Sequence, residues 1–123
     1  MVQVSWEEHT ARLSDADRAF LMSFRQFCLG LPDVSEQIHR TEITFSAGRF
    51  FAAGFMLSHR LELAIQLLDM ISHPRVIATY SPNQQVIGYR LSLPTPADFD
   101  DSIRDLIVLA HDQVGYGLPL PRG

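Results

Sequence analysis

Val86–Gly117, VIGYRLSLPTPADFDDSIRDLIVLAHDQVGYG, decides the fold class, because it runs a strand, a stop, a helix cap and an amphipathic helix together without a break. In Val86–Leu93, Ile87, Tyr89, Leu91 and Leu93 alternate with Gly88, Arg90 and Ser92, the period of two of a strand with one buried face. Pro94 ends the ladder. Thr95, Pro96, Ala97 and Asp98 then read as an N-cap, a first-turn proline and an acid at the third helical position, so the pattern predicts a helix from Thr95 to about Val114. Along it Phe99, Ile103, Leu106, Ile107, Ala110 and Val114 recur at spacings of three and four, with aspartates opposite, and Gly115 or Gly117 provides the stop. Burying the five larger apolar side chains is worth on the order of 10 kcal/mol before chain entropy is subtracted, so this helix requires a sheet to dock on.

Working upstream, Ser14 with Asp17 caps a second helix whose apolar face is Phe20, Phe24, Phe27, Cys28 and Leu31, closed by Gly30 and Pro32. Ser5, Trp6, Glu7 and Glu8 cap a short turn before it. Gln37–Phe45 reads as one strand, with Ile43 and Phe45 on one face and Arg40, Glu42 and Thr44 on the other. Arg49–Leu57 is apolar on both faces, Phe51, Phe55 and Leu57 alternating with Phe50 and Met56, and so needs cover on both sides. Ser58 and His59 read as a hairpin turn. Arg60–Met70 fits both strand and helix and is read as strand because of that turn; Arg75–Tyr80 is a further short strand. The expectation is a single α+β domain over residues 1–117, a curved antiparallel sheet of four or five strands packed against an N-terminal and a C-terminal helix, with a flexible tail at 118–123.

The order of elements, together with Trp6-Glu7-Glu8-His9, Thr41-Glu42-Ile43-Thr44-Phe45 followed by Gly48-Arg49-Phe50-Phe51, His73-Pro74-Arg75, and Tyr89-Arg90-Leu91 before Asp98-Phe99-Asp100, resembles an uncharacterised bacterial family of YdhG-like and YjbR-like domains. The resemblance implies a compact α+β domain with helices on a curved antiparallel sheet, a shape suited to binding other macromolecules, and brings no catalytic or binding residues with it.

Composition narrows the function classes. At 123 residues the chain buries about two-thirds of the surface of its unfolded form and folds without staples. No apolar run reaches the roughly 20 residues of a membrane helix, and the N-terminus lacks a basic end followed by an apolar core, so a cytoplasmic protein is expected. Cys28, the single cysteine, sits in an apolar helical pattern and reads as a buried inert thiol. His9, His39, His59, His73 and His111 have no metal-ligand spacing, and no phosphate-cradling glycine loop occurs, so no metal, cofactor or catalytic set is assigned. Asp98, Asp100, Asp101 and Asp105 are acids at the start of a helix, which its dipole accounts for.

The net charge of −4 opposes generic polyanion binding, although Val34–Pro94 carries five of the ten arginines against four acids. On the polar face of the sheet, Arg40, Glu42, Arg60 and Arg90 are the candidate recognition residues, for a protein or a small anionic ligand; Glu62, Gln66 and Ser92 share that face. Cross-strand Arg–Glu pairing for solubility is the competing account. The doubly apolar Arg49–Leu57, with Phe50 and Met56, is the candidate surface for a homodimer. The functional expectation is a non-enzymatic binding or interaction module. The alternatives are a small-molecule enzyme using His73 or His59 as acid or base, and nucleic-acid binding through the arginine-bearing face.

Overall fold

The structure is a computed structural model that describes residues 3–115. The tail read over 118–123 and the helix stop at Gly117 lie outside those residues. Two capping signals hold as written. Ser5 begins α1 (Trp6–Thr10) with a reciprocal cap to Glu8, and the Ser14 hydroxyl accepts from the Asp17 N–H to begin α2 (Asp15–Leu29). Six strands follow: β1 (Ser35–Ile38), β2 (Ile43–Ser46), β3 (Phe50–Leu57), β4 (Arg60–Leu67), β5 (Val76–Tyr80) and β6 (Ile87–Leu93). They form one antiparallel sheet in the order β1-β2-β3-β4-β6-β5. With α3 (Asp101–Ala110) the elements make one α+β domain.

Six strands replace the four or five expected, because Gln37–Phe45 is two strands. A turn closed by the His39 N–H on the Glu42 carbonyl (2.9 Å) folds β1 back onto β2, and it contains no glycine, proline or asparagine to announce it. The ambiguous Arg60–Met70 is strand for most of its length. Ser58 (φ 49°) and His59 (φ 68°) make the two-residue hairpin turn ahead of it, both in the left-handed region.

The C-terminal helix also starts later than expected. Asp98 accepts from both the Thr95 N–H and its hydroxyl, but these close only a 3-10 turn, Pro96–Asp98, after which Phe99 leaves helical geometry (ψ 68°). The true cap is Asp100, which accepts from the Ile103 N–H at 3.2 Å. A single π-type turn, His111–Gly115, extends the far end.

Pairing register assigns the faces. One side of the sheet carries Ile38, Ile43, Phe45, Ala52, Gly54, Met56, Leu61, Leu63, Ile65, Leu67, Tyr89, Leu91 and Leu93, and α2 and α3 lie over it with Phe20, Leu21, Phe24, Cys28, Ile103, Ile107 and Ala110 turned inward. Gly54 lets the Phe24 ring lie on the strand, and Phe24 meets Phe45 and Phe99 edge-on, at 5.4 and 6.4 Å between centroids. A β-bulge corrects the expected alternation of β3: Phe45 opposes Ala52 while Ser46 opposes Phe50, so Phe51 is the extra residue and joins the covered side, packing edge-on against His111. Tyr89, buried in this layer, donates its hydroxyl to the Asp69 carbonyl and accepts from the Ile71 N–H, both at 3.0 Å, anchoring the loop between β4 and β5. Among the described residues, no helix lies on the opposite side of the sheet.

Candidate recognition face

Strand register puts Thr44, Ser46, Phe50, Ala53, Phe55, Leu57, Arg60, Glu62, Ala64, Gln66, Gly88, Arg90, Ser92, Ala78 and Tyr80 on the helix-free side. Its polar centre is a three-residue chain across β4 and β6. Ser92, opposite Glu62, donates its hydroxyl to the Glu62 carboxylate in a short hydrogen bond, and accepts from Arg60 Nε (2.9 Å) and a terminal Arg60 nitrogen (2.6 Å). Glu62 is only 6% exposed although no helix covers it. A carboxylate so placed needs donors close by, and the serine relays the guanidinium to it.

Beside this chain, Arg90 reaches across β4, where small Ala64 stands opposite it, to set its guanidinium 5.7 Å from the Phe55 ring centre on β3. Its Nε is buried with no hydrogen-bond partner among the described residues. Tyr80 on β5 lays its ring over Gly88, where any side chain would collide with it. Burial pushes the Tyr80 hydroxyl up from its ordinary value, the nearby Arg90 opposing that shift. Toward the β3–β4 turn, Leu57 (54% exposed) and Ile77 (59%) rise on either side of a shallow depression of about 400 Å³ whose remaining lining is Ser58, Arg60, Glu62 and Ser92. A polar floor holding both donors and an acceptor, flanked by apolar walls, is the general form of a binding site.

Of the four recognition residues expected from sequence, Arg60 and Arg90 share this face, and the Glu42 carboxylate is near enough to it to help raise the Tyr80 hydroxyl. Arg40 lies in the β1–β2 turn and lines a separate depression of about 300 Å³ with Val4, Glu8, His9 and Arg12. Of the proposed self-association pair, Met56 points to the helix-covered side and packs against the core, whereas Phe50 is half-buried opposite Ser46 on the free side. β3 is interior to the sheet, and its apolar free side is offered as a surface through Phe50, Phe55 and Leu57, Ala53 being buried. Leu57, Ile77 and Tyr80 were missed because an exposed apolar residue in a short strand carries no mark of its own.

Four of the five histidines are structural ties, whereas His39 keeps a buried Nδ1 with no partner among the described residues. His73 Nδ1 accepts from the Arg75 N–H (3.0 Å), which leaves the proton on Nε2, and Nε2 donates to the Ser102 hydroxyl (2.9 Å); Ser102 donates in turn to Asp100 (2.6 Å). The residue types are those of a hydrolase triad, but the carboxylate sits on the serine, and the histidine lone pair is spent on backbone, so the imidazole has no base to offer the hydroxyl. The Ser102 hydroxyl and the Ile103 N–H hold the Asp100 carboxyl below its ordinary 3.8. Arg75 pairs with Asp98 at 2.6 Å, and Asp98 is held below 3.8 first by the Thr95 hydroxyl and then by the Thr95 N–H and Arg75. His59 contacts Asp17 at 2.7 Å, tying the β3–β4 turn to the start of α2; His9 Nδ1 donates to the His39 carbonyl at 2.6 Å; His111 Nε2 donates to the Pro32 carbonyl at 2.8 Å. Cys28 is fully buried, and burial pushes its thiol far up, leaving it protonated and inert. Among the described residues no three histidine, cysteine or carboxylate side chains gather as metal ligands, and no helix is long and apolar enough to cross a membrane. No family model, curated protein or solved structure matches the chain.

Proposed function

We propose that the chain is a non-enzymatic binding module that takes an extended segment of a partner protein on the helix-free face, seated in the depression between Leu57 and Ile77. The observation that carries this reading is Glu62: a nearly buried carboxylate on an uncovered face, held by Ser92 and Arg60 beneath two exposed apolar side chains. A peptide unit presents one N–H and one C=O. The floor offers Glu62 to accept the first and the Arg60 guanidinium to donate to the second, while Leu57 and Ile77 receive an apolar side chain. Membership of the YdhG-like and YjbR-like group and residence in the cytoplasm belong to the same proposal and rest on the sequence reading alone.

Two alternatives are weaker. The His73 ring spends its lone pair on the Arg75 N–H, which counts against it as a general base, and the His59 imidazole, oriented through Nδ1 by Asp17, is 82% exposed, so no enclosed site holds a substrate to it. Net charge −4 and the engagement of Arg60 by Ser92 count against strong generic nucleic-acid binding.

Selection of a displayed random-peptide library on the immobilised protein tests the reading. Enriched peptides should bind the wild type and lose roughly tenfold or more affinity in Leu57→Asp and in Arg60→Ala. Because Leu57 is exposed, its variant should keep the wild-type melting temperature. A selection that enriches nothing, or peptides that bind Leu57→Asp as well as wild type, refutes it.

A further inference from the structure

The two edges of the sheet are treated differently. At one, β1 is four residues long; its Glu36 carboxylate takes both arms of the Arg25 guanidinium (2.7 and 2.9 Å), and the Val4 N–H bonds across to the Ile38 carbonyl (2.9 Å). That edge is charged and strapped. At the other, β5 reads Val-Ile-Ala-Thr-Tyr, with no charge and no proline, and is exposed from Ile77 to Tyr80. Natural proteins guard such edges with charge, proline or a covering segment, and among the described residues this one has only a bulge at its start.

The ladder shows which backbone groups the edge presents. The Ser92 N–H bonds to the Arg75 carbonyl, so Ser92, and by alternation Arg90 and Gly88, direct their backbone groups toward β5. Their partners Ala78 and Tyr80 are therefore turned inward to β6, and Thr79, opposite Tyr89, turns its N–H and C=O outward. Neither outward group has a partner among the described residues.

We propose that the chain forms a homodimer by antiparallel pairing of β5 with β5 of a second copy, about a two-fold axis through Thr79. In that register the two Thr79 residues exchange both of their free backbone bonds, and Ala78 stands opposite Tyr80 of the second copy on each side of the axis. Directly opposite residues share a face. Ala78 and Tyr80 both face the helix-free side, so a small residue meets a large one twice; a register one residue shorter would oppose Thr79 to Ile77, which lie on opposite faces. This self-complementarity favours a second copy over an unrelated strand. Charge does not oppose it: β5 has none, and the two Arg90 residues would be three strand spacings apart, about 14 Å, beyond the ~8 Å screening length at physiological salt. The inference does not rest on the peptide-binding reading, since it uses the strand edge and its test reads self-association alone.

So short a ladder belongs with interfaces below about 1,200 Å², and a dissociation constant on the order of 10–100 μM is expected. Sedimentation equilibrium of the full chain from about 10 μM to 1 mM should show the mass rising to that of a dimer, with the Thr79 amide gaining protection from hydrogen exchange as concentration rises. Thr79→Pro removes an N–H that β6 does not use, and Ile77→Lys places a charge beside the axis. Each should raise the dissociation constant by roughly tenfold or more. Should Thr79→Pro fail to fold, Ile77→Lys decides. A wild type that stays monomeric at about 1 mM, a dimer unaffected by Ile77→Lys, or a dimer whose Thr79 amide stays unprotected overturns the proposal.

Discussion

Replacing Gly54 by alanine tests the packing that leaves one side of the sheet free. Gly54 lies on the covered side of β3, and a Cβ built there would stand 2.5 Å from Phe24 Cε2, 2.9 Å from Phe24 Cδ2 and 3.2 Å from Leu63 Cδ2. The ring must move by about 1 Å to restore van der Waals contact. It is held on α2 between Phe45 and Phe99, so it cannot swing aside without opening those two edge-on contacts. Overpacking of this kind costs about 1–3 kcal/mol. Alanine recovers up to about 1 kcal/mol of the entropy that glycine loses in a strand. The net expectation is a destabilisation of about 1–2 kcal/mol, which for a domain of this size lowers the melting temperature by about 3–10 °C. Differential scanning calorimetry reads it directly. Phe24→Leu should rescue part of the loss, the double variant being more stable than the sum of the singles by more than about 0.5 kcal/mol. An unchanged or raised melting temperature in Gly54→Ala would refute the placement of Phe24 on Gly54, and with it the assignment of the helix-covered side.

The β3–β4 turn holds two non-glycine residues in the left-handed region, so the double change Ser58→Asn with His59→Gly should raise the urea midpoint by an amount corresponding to about 1 kcal/mol; the His59–Asp17 contact it removes involves a largely exposed imidazole and offsets less than that. A lowered midpoint would show that the tie to α2 outweighs the backbone strain. Asp98 and Asp100 both titrate below their ordinary 3.8 in the folded chain, so their contribution is complete above that value and is lost as pH falls through the lowered ones. The melting temperature should therefore fall as pH drops below about 4, and the Asp98→Asn/Asp100→Asn double variant should start lower near neutral pH and fall less steeply. An acid slope as steep as that of the wild type would count against the two caps as its source.

How much of this was legible in the sequence depends on whether a local pattern or a long-range pairing decided the feature. Caps at Ser5 and Ser14 were readable because one hydroxyl and one N–H three residues on settle each. The start of α3 was misplaced because Thr95 and Asp98 do cap a turn, and only the backbone at Phe99 reveals that a second cap at Asp100 begins the helix. β4 and β6 are regular, so period-two reading put Arg60, Glu62, Arg90 and Ser92 correctly on one face. It failed for Arg40, since a tight turn made of His39, Arg40, Thr41 and Glu42 has no residue that demands one. It failed again at Phe51, where an unpaired residue shifts the alternation by one place.

The free edge at β5 was illegible for a different reason. Read in chain order, β4, β5 and β6 would pair as a meander and bury β5 between its neighbours; instead β6 inserts beside β4 and displaces β5 to the outside. The physical cause lies in what the two strands offer the helices. β6 presents Tyr89, Leu91 and Leu93 to the covered side, each at most 2% exposed, whereas β5 can present only Val76 and Thr79 there. Placing β6 next to β4 buries three large side chains, about 5–9 kcal/mol of apolar transfer free energy that the reverse order would forgo. The comparison becomes possible only once the register is known, because Val-Ile-Ala-Thr-Tyr by itself reads as a good interior strand. The same trade leaves Ile77 and Tyr80 facing water and Thr79 with its backbone groups unspent, so the packing choice that completes the core is also what creates the edge proposed to pair with a second copy.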